Sequence, residues 1–197
     1  MNIKILFAIL STFIGIIGTI PYVMDIFRGT TKPHMYSWLI WTILQVIGAI
    51  SMFSLGAGFG MTSVMVGAFS CGFIFILSFK FGTKNIKIVD KICLLGAIAA
   101  IVVYFFLHDP FLSIIIITII DLIGFLPTLR KSYEEPQTET VASYILSFIS
   151  YCLLLFAISV FTFQNSLYAI SLIITNAVCA FIIIFRRNKI KKHKIAL

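Results

Sequence analysis

Seven runs of about 20 mainly apolar residues follow one another along this chain of 197 residues, and they limit its fold more than any other feature. A helix that crosses a bilayer needs about 20 such residues. Inside the bilayer, only helices and closed barrels satisfy every backbone hydrogen bond. The runs therefore predict an all-α membrane protein with seven transmembrane helices. The predicted spans, numbered 1 to 7, cover residues 4–22, 36–55, 60–80, 88–107, 111–130, 141–162 and 166–186.

Composition excludes a water-soluble protein and predicts an orientation. Charged residues make up 11% of the chain, whereas a soluble domain carries about 25%. Of the 15 Lys and Arg residues, all except Lys4 fall on one side of a seven-span arrangement. Since basic residues favour the cytoplasmic side, the N-terminus is predicted outside and the C-terminus inside, in the plasma membrane. The net charge of +8 then belongs to a membrane surface, and nucleic acid is not an expected partner. A cleaved signal peptide is the alternative for residues 1–20, but no clear small-residue cleavage site precedes Pro21.

An internal repeat divides the chain. Gly18-Thr-Ile-Pro21 and Gly124-Phe-Leu-Pro127 lie 106 residues apart, and the same offset aligns further residues without a gap. Spans 1 to 3 and 5 to 7 therefore form two units, which share one orientation because a single span separates them. The predicted organisation is a first three-helix unit (1–84), a linker helix (85–109), a second three-helix unit (110–187) and a basic cytoplasmic tail (188–197). Further matched pairs are Thr12 and Thr118, Ser37 and Ser143, Ile43 and Ile149, and Phe75 and Phe181.

The two repeated prolines predict hinges. Proline inside a helix removes a backbone hydrogen bond and kinks the helix. Pro21 and Pro127 are therefore candidate hinges for opening and closing the cytoplasmic side. A static kink is the alternative interpretation.

Charges near the two prolines are complementary under the repeat. The offset pairs Asp25 with Lys131 and Arg28 with Glu134. Residues close to a twofold axis lie beside their own mates, so one or both pairs are predicted to bridge the two units as an inner gate. The alternative is a set of solvated charges, each pair contributing only about 0 to 1 kcal/mol.

One acid lies deep inside a predicted span. Asp121 shares a helix face with Gly124 and Thr128. A charge within the bilayer costs at least about 2.5 kcal/mol and rarely faces lipid. Asp121 is therefore predicted either to couple the protein to a proton or cation, or to make a structural hydrogen bond or ion pair.

Aromatic and amide side chains mark the ends and the interior of the bundle. The membrane interface is the expected position of Trp38, whereas Trp41, one turn deeper, is expected to face the bundle. Asn176 in span 7 is costly in hydrocarbon unless it is paired, so its side chain is expected in the interior. Its mate under the 106-residue offset is Ser70 in span 3.

A proline near the end of spans 1 and 5, a polar segment with a serine after each, and the three-plus-one-plus-three plan resemble the PQ-loop superfamily. That superfamily includes SWEET sugar transporters, lysosomal amino-acid exporters and the KDEL receptor. Glutamine follows the proline there, whereas Tyr22 and Thr128 stand at these positions here. By the resemblance to SWEET transporters, a polar residue on each of spans 3 and 7 contacts substrate, which implies Ser70 and Asn176.

Three stretches are similar to a group of small bacterial membrane proteins, and this similarity implies a fold but no activity. The stretches are Ser37-Trp-Leu-Ile-Trp41, His108-Asp-Pro110 and Asp121-Leu-Ile-Gly-Phe-Leu-Pro-Thr-Leu-Arg-Lys131. The W-x-x-W pattern is also similar to vitamin-precursor transporters of the Pnu type, although here it lies in span 2.

The resulting prediction is a small-solute transporter that works by alternating access in a lipid bilayer, without a cofactor. The expected solute is neutral or zwitterionic, such as a sugar, an amino acid or a nucleoside-like compound, because no Lys or Arg away from the span ends could receive an anion. A receptor or membrane-interaction protein on the same fold is the alternative, and a homo-oligomer is compatible with either. The residues predicted to line the solute site are Ser70, Asn176, Trp41, Gln45, Ser147 and Tyr151.

An enzyme is not expected from this sequence. His34, His108 and His193 are isolated from one another and from acidic clusters, so no zinc site or catalytic triad can be built locally. The four cysteines form no C-x-x-C pair. The sequence therefore predicts no metal and no catalytic residue.

Overall fold

The computed structural model describes residues 3–106 and 109–195, and every regular element within them is helical. This confirms the all-α prediction. Residues 1–2, 107–108 and 196–197 lie outside the described chain, and with them His108 and parts of the predicted first unit, linker and tail. The helices are α1 (Ile3–Phe27), α2 (Met35–Ser54), α3 (Thr62–Phe81), α4 (Ile88–Phe106), α5 (Pro110–Glu134), α6 (Val141–Ala157) and α7 (Phe163–Ile195). Short 3₁₀ helices, Gly58–Met61 and Pro136–Thr138, precede α3 and α6.

Four of the described helices are long and apolar enough to cross a membrane. They are α1, α2, α3 with its preceding turn (Gly58–Phe81), and α7 over Phe163–Lys191. α6 is apolar but shorter, at 17 residues. Large apolar side chains project from the bundle, such as Phe69 (74% exposed) and Phe181 (66% exposed), and so large an apolar surface fits lipid rather than water. The four long apolar helices support the predicted membrane environment, while the seven-span topology stays a prediction.

The helices that contain the repeated prolines are longer than predicted. α1 continues past Pro21 to Phe27, and α5 continues past Pro127 to Glu134. Membrane helices tolerate an interior proline because neighbouring groups satisfy the freed carbonyl. The chain leaves α1 only through Gly29, whose φ of 74° suits glycine better than any other residue. The predicted ends at residues 22 and 130 are therefore wrong by about one turn, and α6 ends at residue 157 rather than 162.

The helices pack through corresponding pairs. α1 contacts α3 and α6, just as α5 contacts α7 and α2, while α2 packs on α3 as α6 packs on α7. α4 packs mainly on α5. The correspondence extends to single side chains. A Cβ atom on Gly18 would stand 3.0 Å from Cβ of Leu146, and one on Gly124 would stand 2.9 Å from Cγ2 of Ile40. Leu146 and Ile40 are themselves 106 residues apart, so both glycines mark equivalent close helix crossings.

Two apolar clusters fill the bundle from opposite ends. One is built around Leu44, Met52 and Leu154, and the other around Ile26, Ile183 and several aromatic side chains. Polar side chains in the middle of the helices lie where the two clusters meet. That region contains the candidate site.

Candidate functional site

Two small cavities adjoin each other in the middle of the bundle, each with a volume of about 70 Å³. The first cavity lies among α1, α2, α3 and α6, and the second lies chiefly among α2, α5, α6 and α7. A volume of 70 Å³ holds a few water molecules. It is well below the about 300–1,000 Å³ of sites that hold larger ligands. The residues that line both cavities are Tyr22, Trp38, Gln45, Cys71, Ser143, Ser147 and Tyr151.

Every residue that the sequence predicts for the solute site lies at these cavities. Gln45, Ser147 and Tyr151 line both cavities. Ser70 lines the first cavity, and Trp41 and Asn176 line the second. Their contact with a solute stays a prediction.

A hydrogen bond between two of these residues stands between the cavities. The hydroxyl of Tyr151 donates to Oε1 of Gln45 over 3.3 Å, and Nε2 of Gln45 donates to Sγ of Cys71 over 3.0 Å. Gln45 and Tyr151 are 106 residues apart, so they are mates under the repeat. Gly67 makes room for this arrangement, because a side chain there would collide with Oε1 of Gln45.

An aromatic wall runs along the same region. The ring centroids of Trp41 and Phe125 are 4.4 Å apart, those of Trp38 and Trp41 are 5.1 Å apart, and those of Tyr22 and Trp38 are 4.9 Å apart. Trp38 is only 9% exposed and lines both cavities. Trp38 therefore faces the bundle interior, while its expected depth at the membrane interface stays a prediction. α1 continues past Pro21, so that Tyr22 covers the indole of Trp38.

Asp121 lies on the wall of the second cavity and is fully buried. Neither of its carboxyl oxygens has a hydrogen-bond partner among the described residues. The same holds for Nε1 of Trp41, the hydroxyl of Tyr168 and Oγ1 of Thr128. Buried polar groups in native proteins are almost always hydrogen-bonded. The predicted structural hydrogen bond or ion pair of Asp121 is therefore absent from the described structure, and the group is available to a molecule in the cavity.

Asn176 faces the bundle interior at 6% exposure, as expected. Its Nδ2 donates to the carbonyl of Leu172 in its own helix over 2.7 Å. The amide is thus partly satisfied locally, while its side chain still lines the second cavity. Its mate Ser70 is half-buried at the first cavity.

No known protein family, characterised protein or solved structure matches this chain. The resemblance to the PQ-loop superfamily therefore stays a prediction. Within residues 3–106 and 109–195, no group of three or more His, Cys, Asp or Glu side chains could hold a metal ion.

The predicted gate pairs are not the ion pairs of the structure. Nη1 of Arg28 lies 3.4 Å from Oδ1 of Asp25, one helical turn away. Glu134 pairs with Arg130 over 2.6 Å, also within one helix. Lys131 pairs with an acid of the following loop instead of Asp25. The pairings Asp25 with Lys131 and Arg28 with Glu134 are therefore wrong, because α1 and α5 extend as helices and bring each charge beside a partner close to it in the chain.

The partner of Lys131 is Glu139, a residue for which the sequence predicts no role. Nζ of Lys131 donates to Oε1 of Glu139 over 2.6 Å, and the hydroxyls of Tyr22 and Tyr144 donate to Oε2 over 3.0 and 2.9 Å. Lys131 is 0% exposed and Glu139 1%. We call these four residues the Glu139 cluster. It joins α1, α5 and α6 at one end of the cavities, since Tyr22 and Tyr144 also line the second cavity. Glu134, Glu135 and Glu139 follow one another closely in the sequence, and no local pattern distinguishes the buried one.

A second buried charge cluster attaches α4 to α5. Arg130 donates to Asp90 through Nε over 3.1 Å and through Nη2 over 2.6 Å, a bidentate geometry. Nε2 of His34 lies 3.2 Å from Oδ2 of Asp90. Burial lowers the pKa of the His34 imidazole below its ordinary value, against the opposing effect of Asp90. None of these three residues lines the two cavities, so the cluster is structural.

Proposed function

We propose that the chain is a seven-span transporter of a small solute, which works by alternating access across the plasma membrane with its N-terminus outside and its C-terminus inside. One observation carries the proposal. Two adjoining cavities, whose linings include Gln, Ser, Tyr and Asn side chains, lie between α1–α3 and α5–α7, in a bundle whose outer surface is apolar. Solute sites at the interface of repeated units near the bilayer midplane are typical of secondary transporters.

The proposed architecture is two parallel three-helix units joined by α4, as in PQ-loop and SWEET-like proteins. The corresponding helix contacts support it, as do the equivalent crossings at Gly18 and Gly124. The hydrogen bond between the repeat mates Gln45 and Tyr151 supports it further, because mates meet only close to a twofold axis.

The Glu139 cluster is the inner gate that we propose instead of the pairs predicted from the sequence. Pro21 directly precedes Tyr22, and Pro127 lies one helical turn before Lys131. Bending α1 or α5 at its proline therefore moves a hydrogen-bond donor of Glu139. Pro21 and Pro127 are the proposed hinges for this opening.

Asp121 is the proposed coupling residue. Asp121 shares the lining of the second cavity with the thiol of Cys71 and the phenol of Tyr151. No Lys, Arg or His is among the described residues that line either cavity. This lining argues against an anionic solute.

Flux into liposomes tests the proposal. The full chain is reconstituted and offered labelled sugars, amino acids, nucleosides and amines, with and without a proton gradient. We expect at least one solute to be carried, and Gln45→Leu to lower its flux by about fivefold or more, because a hydrogen bond contributes about 1 kcal/mol. Ser54→Ala, at an exposed position of the same helix, is the matched control and should leave the flux unchanged. No flux of any solute contradicts transport, and saturable binding without flux supports the receptor alternative.

A further inference from the structure

Asp121 is the single acidic residue among the described residues that line the second cavity, and no Lys, Arg or His is among them. Its side chain is fully buried, and both carboxyl oxygens lack a partner within the described chain. An ionised carboxylate in such surroundings is stable only when it is paired. The described cavity wall supplies no Lys, Arg or His, so the carboxyl group of Asp121 either keeps a proton or pairs with a cation that enters the cavity.

Aromatic rings form part of the wall of this site. Trp41 and Phe125 lie with ring centroids 4.4 Å apart, and Trp38 follows at 5.1 Å from Trp41. All three line the second cavity. The face of an aromatic ring, tryptophan above all, attracts a cation within about 6 Å of its centroid. Aromatic walls of this kind recognise substituted ammonium groups.

We propose that the second cavity binds a small organic cation, a substituted ammonium ion, with Asp121 as its counter-ion and Trp38, Trp41 and Phe125 as its aromatic wall. The proposal rests on the proposed function and names the solute class of that site. It replaces the neutral or zwitterionic solute expected from the sequence. A zwitterion would bring a carboxylate for which the described lining has no cationic partner. An amine or quaternary ammonium ion brings only a positive charge, which pairs with the carboxylate of Asp121.

Tryptophan fluorescence gives a direct readout of this site. The chain contains two tryptophans, Trp38 and Trp41, and both line the second cavity. The full-length protein, purified in detergent, is titrated with methylammonium, ethanolamine and choline. A parallel titration uses 3,3-dimethyl-1-butanol, which has the shape of choline without its charge. We expect at least one ammonium ion to change the fluorescence saturably, and the uncharged compound to bind at least about tenfold more weakly than choline.

Substitution of the acid is the second arm. Asp121→Asn should weaken ammonium binding at least about 30-fold, because it removes one partner of a buried charge pair. Asp121→Glu keeps the charge and should recover part of the affinity. Glu135→Gln is the matched control, an acid of the loop after α5 outside both cavities, and should bind as the wild type does. If Asp121→Asn does not fold, the comparison of choline with its uncharged counterpart on the wild-type protein still tests whether the site requires a positive charge.

Three outcomes overturn the proposal: no ammonium ion binds, choline and 3,3-dimethyl-1-butanol bind equally, or Asp121→Asn binds choline as well as the wild type. Flux of labelled choline into liposomes separates this proposal from the transport function. Binding that depends on Asp121, without flux of choline or of any other solute in the panel, supports the cation site and contradicts transport. Flux of uncharged solutes without ammonium binding leaves transport standing and contradicts the cation site.

Discussion

Replacing Glu139 by glutamine should destabilise the protein strongly. The carboxylate accepts three hydrogen bonds, from Lys131, Tyr22 and Tyr144, in a site where Glu139 is 1% exposed. Glutamine has nearly the same shape but no charge, so Lys131 would remain buried without a counter-ion. Breaking a buried ion pair by removing one partner costs about 3–5 kcal/mol. Since whole domains are stable by only about 5–15 kcal/mol, this loss is a large part of the total.

Equilibrium unfolding in detergent micelles, followed by circular dichroism, measures this loss. Two further variants show that the unpaired charge is its cause. Combining Glu139→Gln with Lys131→Met removes both charges and should restore part of the stability, because no lone charge is then buried. Glu134→Gln removes an acid whose side chain is 40% exposed in its pair with Arg130, so it should change the stability by no more than about 1 kcal/mol.

Two results would refute the reasoning. A loss below about 1 kcal/mol in Glu139→Gln would mean that the pair with Lys131 is solvated. A double variant that is less stable than Glu139→Gln alone would mean that Lys131 stabilises the fold through contacts other than this ion pair.

Three further predictions concern helix crossings, the linker helix and the hinges. Gly124→Ala should lower the free energy of unfolding by about 1–3 kcal/mol, because the added Cβ would crowd Ile40. Gly96→Ala is the control: the space around Gly96 is open, so this variant should be neutral or stabilising by up to about 1 kcal/mol. Asp90→Asn should cost about 1–3 kcal/mol, because it removes the charge-assisted hydrogen bonds between Asp90 and Arg130 while Arg130 keeps its pair with Glu134, and proteolysis should then cleave near α4 faster. Pro127→Ala should keep or raise the thermal midpoint while lowering liposome flux at least about tenfold; unchanged flux would contradict the hinge.

The fold class and the residues around the cavities could be predicted because both follow from regularities along the chain. Length and hydropathy predict the helices. The repeat predicts which residues meet their mates, and Gln45 and Tyr151 do meet, in a hydrogen bond of 3.3 Å. The same argument failed for Asp25 and Lys131. It assumed that these charges lie in loops, whereas α1 and α5 continue as helices beyond the prolines.

The sequence by itself determined the helical class, the apolar outer surface and the set of polar residues that would have to be buried in the bundle, because these depend on periodicity and on the cost of polar groups in lipid. Only the tertiary structure decided which buried groups find partners. Glu139 pairs with Lys131, Trp38 packs under Tyr22, and Asp121 has no partner among the described residues. These outcomes depend on contacts between helices far apart in the chain, and neighbouring residues with the same chemistry, such as Glu134 and Glu139, are separated only when the helices pack.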